Sequence, residues 1–324
     1  MKAVLCRAFG PPDTLSVADI AEPVAGPGEV VVRVRAIGLN FFDLLILEDK
    51  YQLKPALPFS PGGELAGEVD SLGSDCDWAK PGDRVIALSR YGAAREKVVV
   101  AESDLIAIPD ELSFELAASL TITYGTTLHA LADRGELKPG ETIAILGASG
   151  GVGQAAIEVA KLMGARVIAC ASSPEKLAFC RDKGADEFID YSREDLKARL
   201  KQLTDGIGVD VVYDAVGDKY AEPAIRALAW RGRHLVVGFA GGEIPKIPLN
   251  LLLLKGADIR GVFWGEFVAR EPEAYADLIR QLMDWAVRGA LKPHIHASYP
   301  LERTGEALAA LASRRVVGKI IVTP

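Results

Sequence analysis

The sequence is poor in the residues that build metal centres and covalent cross-links. Its 324 residues include only four cysteines and four histidines. The thiols are scattered along the chain with no C-x-x-C spacing, and this spread is typical of reduced cysteines in a cytoplasmic protein. They are Cys6, Cys76, Cys170 and Cys180.

Long apolar runs and an excess of basic residues are also missing. The longest apolar patch, Leu249–Leu254, is far too short to span a bilayer. Lys2 and Arg7 interrupt the N-terminal residues, so we expect no secretory signal, no membrane partner and a cytoplasmic location. The net charge of −7 argues against a nucleic-acid partner. An apolar fraction of 49% and the chain length suit about two soluble domains.

What the sequence does contain is a glycine-rich turn within Thr142–Gly153. The apolar run Ile143–Leu146 stops at this turn, and apolar residues then recur with the period of a helix. Glycines let a phosphate approach the backbone, and the N–H groups at the helix start hold a pyrophosphate. The alternative is a tight turn without a ligand. We expect dinucleotide binding at Gly150, Gly151, Val152 and Gly153, with Ala148 in place of the first fingerprint glycine.

The chain changes pattern near Ser113. Before it, short alternating strands such as Val30–Ile37 are separated by Pro-Gly turns, which favours a partly closed antiparallel barrel. After it, helices alternate with apolar strands, up to a possible sixth strand at Ile259–Phe263. This order predicts a doubly wound parallel sheet. A helix at Pro272–Arg288 then returns the chain to a small β region, so the fold is α/β with the dinucleotide domain inserted into the barrel domain.

The end of the second parallel strand predicts which dinucleotide is bound. An acid that binds free ribose hydroxyls belongs where this chain has Ala171, and Ser172, Ser173 and Lys176 follow it. Hydroxyls and an ammonium suit the 2′-phosphate of NADPH. Alternatively, the serines cap the next helix and Lys176 is solvated. Tyr191, after the third strand, is either a cover for the adenosine end or a tyrosine at the rim.

The fourth and fifth strands end at Asp214–Gly217 and Val237–Ala240. The carboxyl ends of such strands line the ligand crevice, so we expect Gly217, Gly238 and Phe239 near the nicotinamide ribose. The alternative for each glycine is an ordinary turn. The sixth strand would lie at the sheet edge, and edge pairing of Ile259–Trp264 across a two-fold axis predicts a homodimer.

Taken together and in their order along the chain, the sequence motifs resemble those of the medium-chain dehydrogenase/reductase superfamily, in its NADPH:quinone oxidoreductase (zeta-crystallin-like) branch. The resemblance implies a GroES-like substrate domain at residues 1–122, a Rossmann NADPH domain at 123–259, and a return to the substrate domain at 260–324. The motifs are Gly38–Asp43, Pro61–Gly67, Pro81–Val85, Thr123–Thr126, Gly147–Gly153, Asp210–Gly217 and Ile247–Gly256.

The departures from the superfamily bear on metal binding. Its alcohol dehydrogenases hold zinc with a cysteine where this chain has Asn40 and a histidine where it has Gly63, and only Glu64 survives. A single carboxylate cannot hold zinc, which takes about four ligands. The spacing His294-x-His296 has no third ligand near it in sequence. We therefore expect no metal.

By resemblance, five residues face the acceptor pocket: Asn40, Asp43, Tyr51, Tyr124 and Thr126. We expect Asn40 and Tyr51 to donate hydrogen bonds near the acceptor oxygen, while the alternative for Tyr51 is packing at a loop end. Phe263 and Trp264 are expected on the nicotinamide side or at the dimer contact. Arg314 matches an arginine near the cofactor phosphate, or else is a solvated charge. We also expect Asn40, Thr126, Phe239 and Phe263 to contact the cofactor.

Three functions remain open from the sequence. The first is zinc-independent hydride transfer from NADPH to a quinone or conjugated enone, whose negative charge spreads onto a distant oxygen. The second is an enoyl-thioester reductase, which shares the hydride donor. The third is an NADPH-binding sensor without turnover.

Overall fold

The computed structural model describes residues 1–324, and the chain forms two units. The first unit comprises Met1–Ile122, Ile279–Gly289 and Pro293–Pro324. The second comprises Thr123–Leu278 and Ala290–Lys292. In sequence, the second unit is therefore inserted into the first. None of the helices has the length and apolar character needed to cross a membrane.

The strands and helices follow in chain order. The strands are β1 (Lys2–Leu5), β2 (Ser16–Asp19), β3 (Glu29–Leu39), β4 (Glu64–Leu72), β5 (Arg84–Leu88), β6 (Lys97–Ala101), β7 (Leu105–Ala107), β8 (Thr142–Leu146), β9 (Arg166–Ala171), β10 (Glu187–Asp190), β11 (Val209–Asp214), β12 (Leu228–Val236), β13 (Asp258–Gly261), β14 (Ile295–Pro300) and β15 (Lys319–Thr323). The helices are α1 (Phe41–Leu47), α2 (Phe114–Ala117), α3 (Gly125–Leu128), α4 (Gly151–Leu162), α5 (Pro174–Asp182), α6 (Leu196–Leu203), α7 (Asp218–Arg226), α8 (Asn250–Leu253), α9 (Trp264–Arg270), α10 (Pro272–Val287) and α11 (Thr304–Ala312). Two π-helical segments, Leu120–Tyr124 and His129–Arg134, flank α3.

The first unit is built on a seven-stranded sheet. Its order is β14-β15-β3-β4-β5-β7, with β6 paired to β3. The long strand β3 alternates buried valines with exposed arginines, because one face meets the core and the other meets solvent. Arg33 and Arg35 reach across to Asp70 and Glu68 on β4. The sheet and its buried apolar face fit the predicted substrate domain.

Register in this sheet brings three distant parts of the chain together. Strand β15 pairs with β3 so that Ile320 lies opposite Leu39, and β3 pairs with β4 so that Gly38 lies opposite Glu64. Lys319, Asn40 and Glu64 therefore meet at the same end of three neighbouring strands, although up to 279 residues separate them in sequence.

The second unit is a six-stranded parallel sheet in the order β10-β9-β8-β11-β12-β13. Strand order reverses between β8 and β11, the switch point of a doubly wound sheet. Strands β8 and β9 are apolar after their first residue because helices cover both faces of such a sheet. The α/β fold, with a Rossmann sheet inserted into a GroES-like domain, is confirmed.

The return to the first unit comes later than residue 260. Strand β13 hydrogen-bonds to β12 and completes the parallel sheet, so the residues after Ile259 cannot leave that unit at once. Trp264 then buries its ring against Gly125 and His129, which holds α9 in the second unit. The chain crosses back only within α10, at Ile279.

Candidate functional site

The glycine turn after β8 is shaped to bring backbone close to a ligand. Gly147 has φ of 69°, which a side chain rarely adopts. Gly150 is the N-cap of α4, and a Cβ on Gly153 would overlap the Gly147 carbonyl oxygen. Because α4 runs for twelve residues from Gly151, its free N–H groups and dipole present positive charge at this turn. The residues Gly150, Gly151, Val152 and Gly153 thus fit a pyrophosphate.

The end of β9 carries the predicted hydroxyls and ammonium together. Ser173 caps α5, its Oγ accepting the Lys176 N–H at 3.4 Å. The Lys176 Nζ donates to Ser172 Oγ at 3.2 Å. The cap and the cluster coexist, so the two readings of these serines are compatible. Glu175, which sequence reasoning passed over, adds a carboxylate here, and its hydrogen bond with Ser173 lowers the pKa of that carboxyl.

Tyr191 lies beside the same strand end. Its N–H donates to the Ala171 carbonyl at 3.1 Å, and its ring packs on Tyr220 with centroids 4.4 Å apart. Burial raises the pKa of Tyr191, which keeps the phenol neutral and able to donate. The neighbouring Ser192 donates to the Ser172 carbonyl at 3.3 Å. The structure therefore groups Tyr191 with Ser172, Ser173 and Lys176.

Gly217 and Phe239 contact each other at the ends of β11 and β12. Gly217 has φ of 65°, and a Cβ there would come within 2.7 Å of the Phe239 ring. The buried Asp214 carboxylate accepts the N–H groups of Val216 and Gly217 and so fixes this turn. The turn explanation of Gly217 thus has direct support. Phe239 keeps 37% of its surface exposed beside it.

Other predicted contacts divide between exposed and buried positions. Thr126 is buried in α3, while Phe263 caps α9 and is 55% exposed. Trp264 is a core residue and cannot serve as a surface contact, because its ring fills the space that Gly125 leaves. Tyr124 is also wrongly predicted to face a pocket. Its side chain is fully buried, and its hydroxyl donates to Glu158 at 2.6 Å.

In the first unit, Asn40 belongs to a buried polar cluster. Its amide nitrogen donates to the Gly38 carbonyl at 3.1 Å and to Glu64 Oε1 at 2.9 Å. Its amide oxygen accepts from Lys319 Nζ at 2.5 Å. Since both amide hydrogens are used internally, Asn40 is not placed to donate to an acceptor oxygen, and that predicted role is corrected to a structural one.

The Tyr51 ring stacks on the ring of Phe42 near this cluster. Its ring lies 5.5 Å from that of Phe42, and a Cβ on Gly63 would overlap the Phe42 ring. Burial, and secondarily the charge of Asp43, raises the pKa of the Tyr51 hydroxyl. No hydrogen bond within the protein engages that hydroxyl, so it is available to donate. Asp43 itself is buried and accepts the N–H groups of Asn40 and Gly62.

Arg314 lies in the first unit, directly after α11, with φ of 58°. Asn40 and Tyr51 also belong to that unit, whereas the other predicted cofactor contacts lie in the second. The structure thus forms two groups of predicted site residues, one on each unit.

Comparison with known proteins decides the family. Residues 26–110 match the alcohol dehydrogenase GroES-like domain, and residues 151–283 match the zinc-binding dehydrogenase family. A quinone oxidoreductase of Pseudomonas aeruginosa is 38% identical over 325 residues, covering 100% of this chain and 99% of that protein. The chain belongs to the medium-chain dehydrogenase/reductase superfamily.

Solved structures that match the whole chain include two quinone oxidoreductases. The quinone oxidoreductase of Pseudomonas syringae pv. Tomato matches with a TM-score of 0.94 and 35% identity, over 100% of this chain and 99% of its own. The Escherichia coli quinone oxidoreductase, solved with NADPH, matches with a TM-score of 0.93 and 29% identity over 100% of both chains. The chain is therefore a superfamily member with quinone oxidoreductase relatives.

The zinc of the superfamily's dehydrogenases does not fit the residues present. The Glu64 carboxylate is paired with Lys319 at 2.5 Å, and the Asn40 amide oxygen also faces that ammonium. Gly63 offers no ligand, and Phe42 fills its side-chain space. No group of three or more histidine, cysteine, aspartate or glutamate side chains is arranged to hold a metal ion. His294 and His296 have ring centroids 6.5 Å apart.

Sequence reasoning missed Lys319 although a signal was present. It is the one charged residue in the strand Lys319–Thr323, and its side chain is only 3% exposed. A charge at the start of an apolar strand calls for a buried partner, since lysine is rarely buried unpaired. The sequence could not name that partner.

Proposed function

We propose that this protein transfers a hydride from NADPH to a quinone or a conjugated enone without a metal ion. The observation that carries the proposal is what surrounds the positions where a metal would need ligands. The Lys319 ammonium engages Asn40 and Glu64, and the Phe42 ring fills the side-chain space at Gly63. Alcohol oxidation needs a Lewis acid to stabilise the alkoxide. A quinone or enone is already electrophilic and spreads the arriving charge onto its oxygen.

The second unit supplies the cofactor contacts in this proposal. NADPH, when bound, supplies the hydride. The N–H groups at the start of α4 hold the pyrophosphate, and Gly153 keeps the turn close-packed. Ser172, Ser173 and Lys176 bind the 2′-phosphate at the end of β9. Tyr191 covers the adenosine end, and Phe239 and Phe263 offer apolar surface for the nicotinamide.

The first unit supplies the hydrogen bond to the acceptor. The Tyr51 ring stacks on Phe42, and the hydroxyl is protonated at neutral pH, since burial raises a pKa whose ordinary value is already 10.0. It therefore donates to the acceptor oxygen on which negative charge develops. Tyr51 is the catalytic residue of the proposal, and Asn40 acts only by holding the start of α1.

The alternatives make different demands. An enoyl-thioester reductase would use the same cofactor contacts but must also accept a long pantetheine arm. An NADPH sensor would bind the cofactor and turn over no acceptor. The quinone oxidoreductase relatives favour the first proposal over both.

The test is NADPH oxidation by the purified protein with a panel of quinones, enones, enoyl thioesters and alcohols. We expect turnover with quinones or enones, and a fall in kcat of at least tenfold in Tyr51→Phe with cofactor affinity unchanged. The matched control is Tyr91→Phe. Turnover confined to enoyl thioesters would support the second function, and NADPH binding without any turnover would support the third.

A further inference from the structure

In a buried cluster, side-chain oxygens hold the Lys319 ammonium much as they would hold a metal cation. The Lys319 ammonium lies 2.5 Å from Asn40 Oδ1 and 2.5 Å from Glu64 Oε1. The second carboxylate oxygen of Glu64 accepts the Ile122 N–H at 2.8 Å. Side-chain exposure is 3% for Lys319 and 0% for Glu64. The ammonium is thus held by two oxygen acceptors in a buried site.

Neighbouring residues shape the space for this arrangement. A Cβ on Gly38 would come within 2.6 Å of Glu64 Oε1, so only glycine lets the carboxylate reach its position. The Asn40 amide bridges the two charges by donating to Glu64 and accepting from Lys319. Every polar atom of the cluster has a partner, as a buried ion pair requires.

We propose that Lys319 is an internal cation standing where the superfamily's dehydrogenases bind their metal, and that its ammonium prevents metal binding. Asn40 and Glu64 lie at two of the ligand positions. The positive charge held between them repels a divalent cation and occupies both oxygens. Phe42 closes the third position, because its ring fills the space of a side chain at Gly63.

The same cluster connects to the proposed acceptor contact. Asn40 is the N-cap of α1, which carries Phe42 and Asp43. Phe42 in turn supports the Tyr51 ring. Only this link to Tyr51 rests on the proposed metal-independent function. The binding and unfolding measurements below use neither NADPH nor a quinone, so their failure is distinct from failure of the proposed function.

The first measurement is a double-mutant cycle of chemical unfolding. Lys319→Met leaves the Glu64 carboxylate buried without its partner, and we expect the unfolding equilibrium constant to rise by roughly 100-fold or more. Glu64→Gln added to Lys319→Met should recover most of that loss, because the unpaired charge is gone. Additive effects of the two substitutions would overturn the pairing. If Lys319→Met does not fold, recovery of a folded protein in the double variant carries the same information.

The second measurement asks whether the ammonium is what excludes metal. Asn40→Cys supplies a thiolate, and Lys319→His replaces the ammonium with an imidazole, so the double variant offers sulfur, nitrogen and the Glu64 oxygen. We expect this double variant to bind Co²⁺ with the visible absorption of a tetrahedral thiolate site. Asn40→Cys alone, which has the same four native cysteines, should not.

The outcomes are distinct. Adding Glu64→Gln to the double variant should abolish the Co²⁺ absorption, which locates the metal in the cluster. The same absorption in Asn40→Cys alone would overturn the proposal, because Lys319 would then exclude nothing. Absence of the absorption from every variant would overturn it too, since replacing the ammonium would not have opened a cation site. If Lys319 only stabilised the fold, Asn40→Cys alone and the double variant would show the same Co²⁺ absorption.

Discussion

At the end of β9, two neighbouring residues carry opposite charges. Lys176 donates to Ser172, and Glu175 hydrogen-bonds with Ser173. A 2′-phosphate placed among the two serines would be attracted by the ammonium and repelled by the carboxylate. We therefore expect the preference for NADPH over NADH to depend on the balance between these two side chains.

Lys176→Ala should lower NADPH affinity by about one to two decades. A hydrogen bond to a charged group contributes roughly 1.5–3 kcal/mol, and about 1.4 kcal/mol is tenfold in affinity. NADH lacks the phosphate, so its affinity should not change. Titration of both cofactors at one fixed salt concentration measures this. A parallel loss for NADH would show that Lys176 supports the fold, and an unchanged NADPH affinity would show no phosphate contact.

Glu175→Gln is the matched opposite and should raise NADPH affinity while leaving NADH binding unchanged. The amide keeps the size of the side chain and removes the negative charge beside the phosphate. Equal gains for both cofactors would place Glu175 elsewhere in the cofactor contact. The same titrations give the answer.

Asp43 makes stability depend on pH. Burial raises the pKa of Asp43 from 3.8 to about 7, while the N–H groups of Asn40 and Gly62 and the charge of Lys319 oppose that rise. The native chain therefore holds a proton that the unfolded chain has lost between about pH 4 and 7. Because the native state binds more protons there, the free energy of unfolding falls as the pH rises through that window.

Asp43→Asn removes this ionisation. We expect the stability of the variant relative to wild type to increase from pH 4.5 to 7.5, by up to about 1.4 kcal/mol per pH unit. Urea unfolding at several pH values measures the difference, with the exposed Asp13→Asn as control. A difference that stays constant over this range would contradict the buried, proton-binding carboxyl.

Elements whose apolar residues recur with the period of a strand or a helix were predicted from the sequence, and elements without such a period were not. Helix α10 spans Pro272–Val287, one residue short of the predicted end, and the strand–turn–helix of β8 and α4 follows the predicted order. Helix α1 escaped notice because Phe41–Leu47 is apolar at six of seven positions and shows no face. Helix α6 begins at Leu196 because the Asp195 side chain caps it.

The site divides in the same way. Contacts local in sequence, such as the glycine turn and the Ser173 cap, could be predicted because one stretch holds all their atoms. Lys319 and Glu64 could not be paired, since only the register of β15, β3 and β4 brings them together. Asn40 was wrongly predicted to donate to the acceptor oxygen. Its amide donates instead to the Gly38 carbonyl on β3 and to Glu64 on β4, which the sequence around Asn40 does not reveal.

Strand β13 lies at the edge of the parallel sheet, as predicted, and we propose that a second copy pairs with it. The Val262 N–H donates inward to the Val236 carbonyl at 3.0 Å, so the alternation of a strand turns the Ile259 N–H outward. Exposed apolar residues of the same unit include Trp230 at 70% and Leu253 at 81%. Such surface favours a protein partner.

Ile259→Pro should therefore weaken dimer formation without breaking the sheet. Proline removes the outward donor, while the inward bond of Val262 is untouched. Val262→Pro, in contrast, should destabilise the fold itself. Sedimentation velocity over a concentration series, with Val24→Asp as an exposed control in the other unit, measures association. An unchanged dimer in Ile259→Pro would place the contact elsewhere.

For the molecule as a whole, we propose that cofactor binding and contact with the acceptor are divided between the two units. The unit with the parallel sheet carries the proposed contacts with the 2′-phosphate and pyrophosphate, and the unit with the mixed sheet carries Tyr51 and the Lys319 cluster. The superfamily's arrangement is kept, while the side chains at the metal position have changed their chemistry. We therefore expect turnover that needs NADPH and no metal.

The most direct test measures NADPH-dependent quinone reduction and metal content on the same preparation. The account predicts well below one zinc per chain, and an unchanged rate after dialysis against a chelator and after adding Zn²⁺ back. A zinc content near one per chain, with turnover lost on chelation and restored by Zn²⁺, would contradict it.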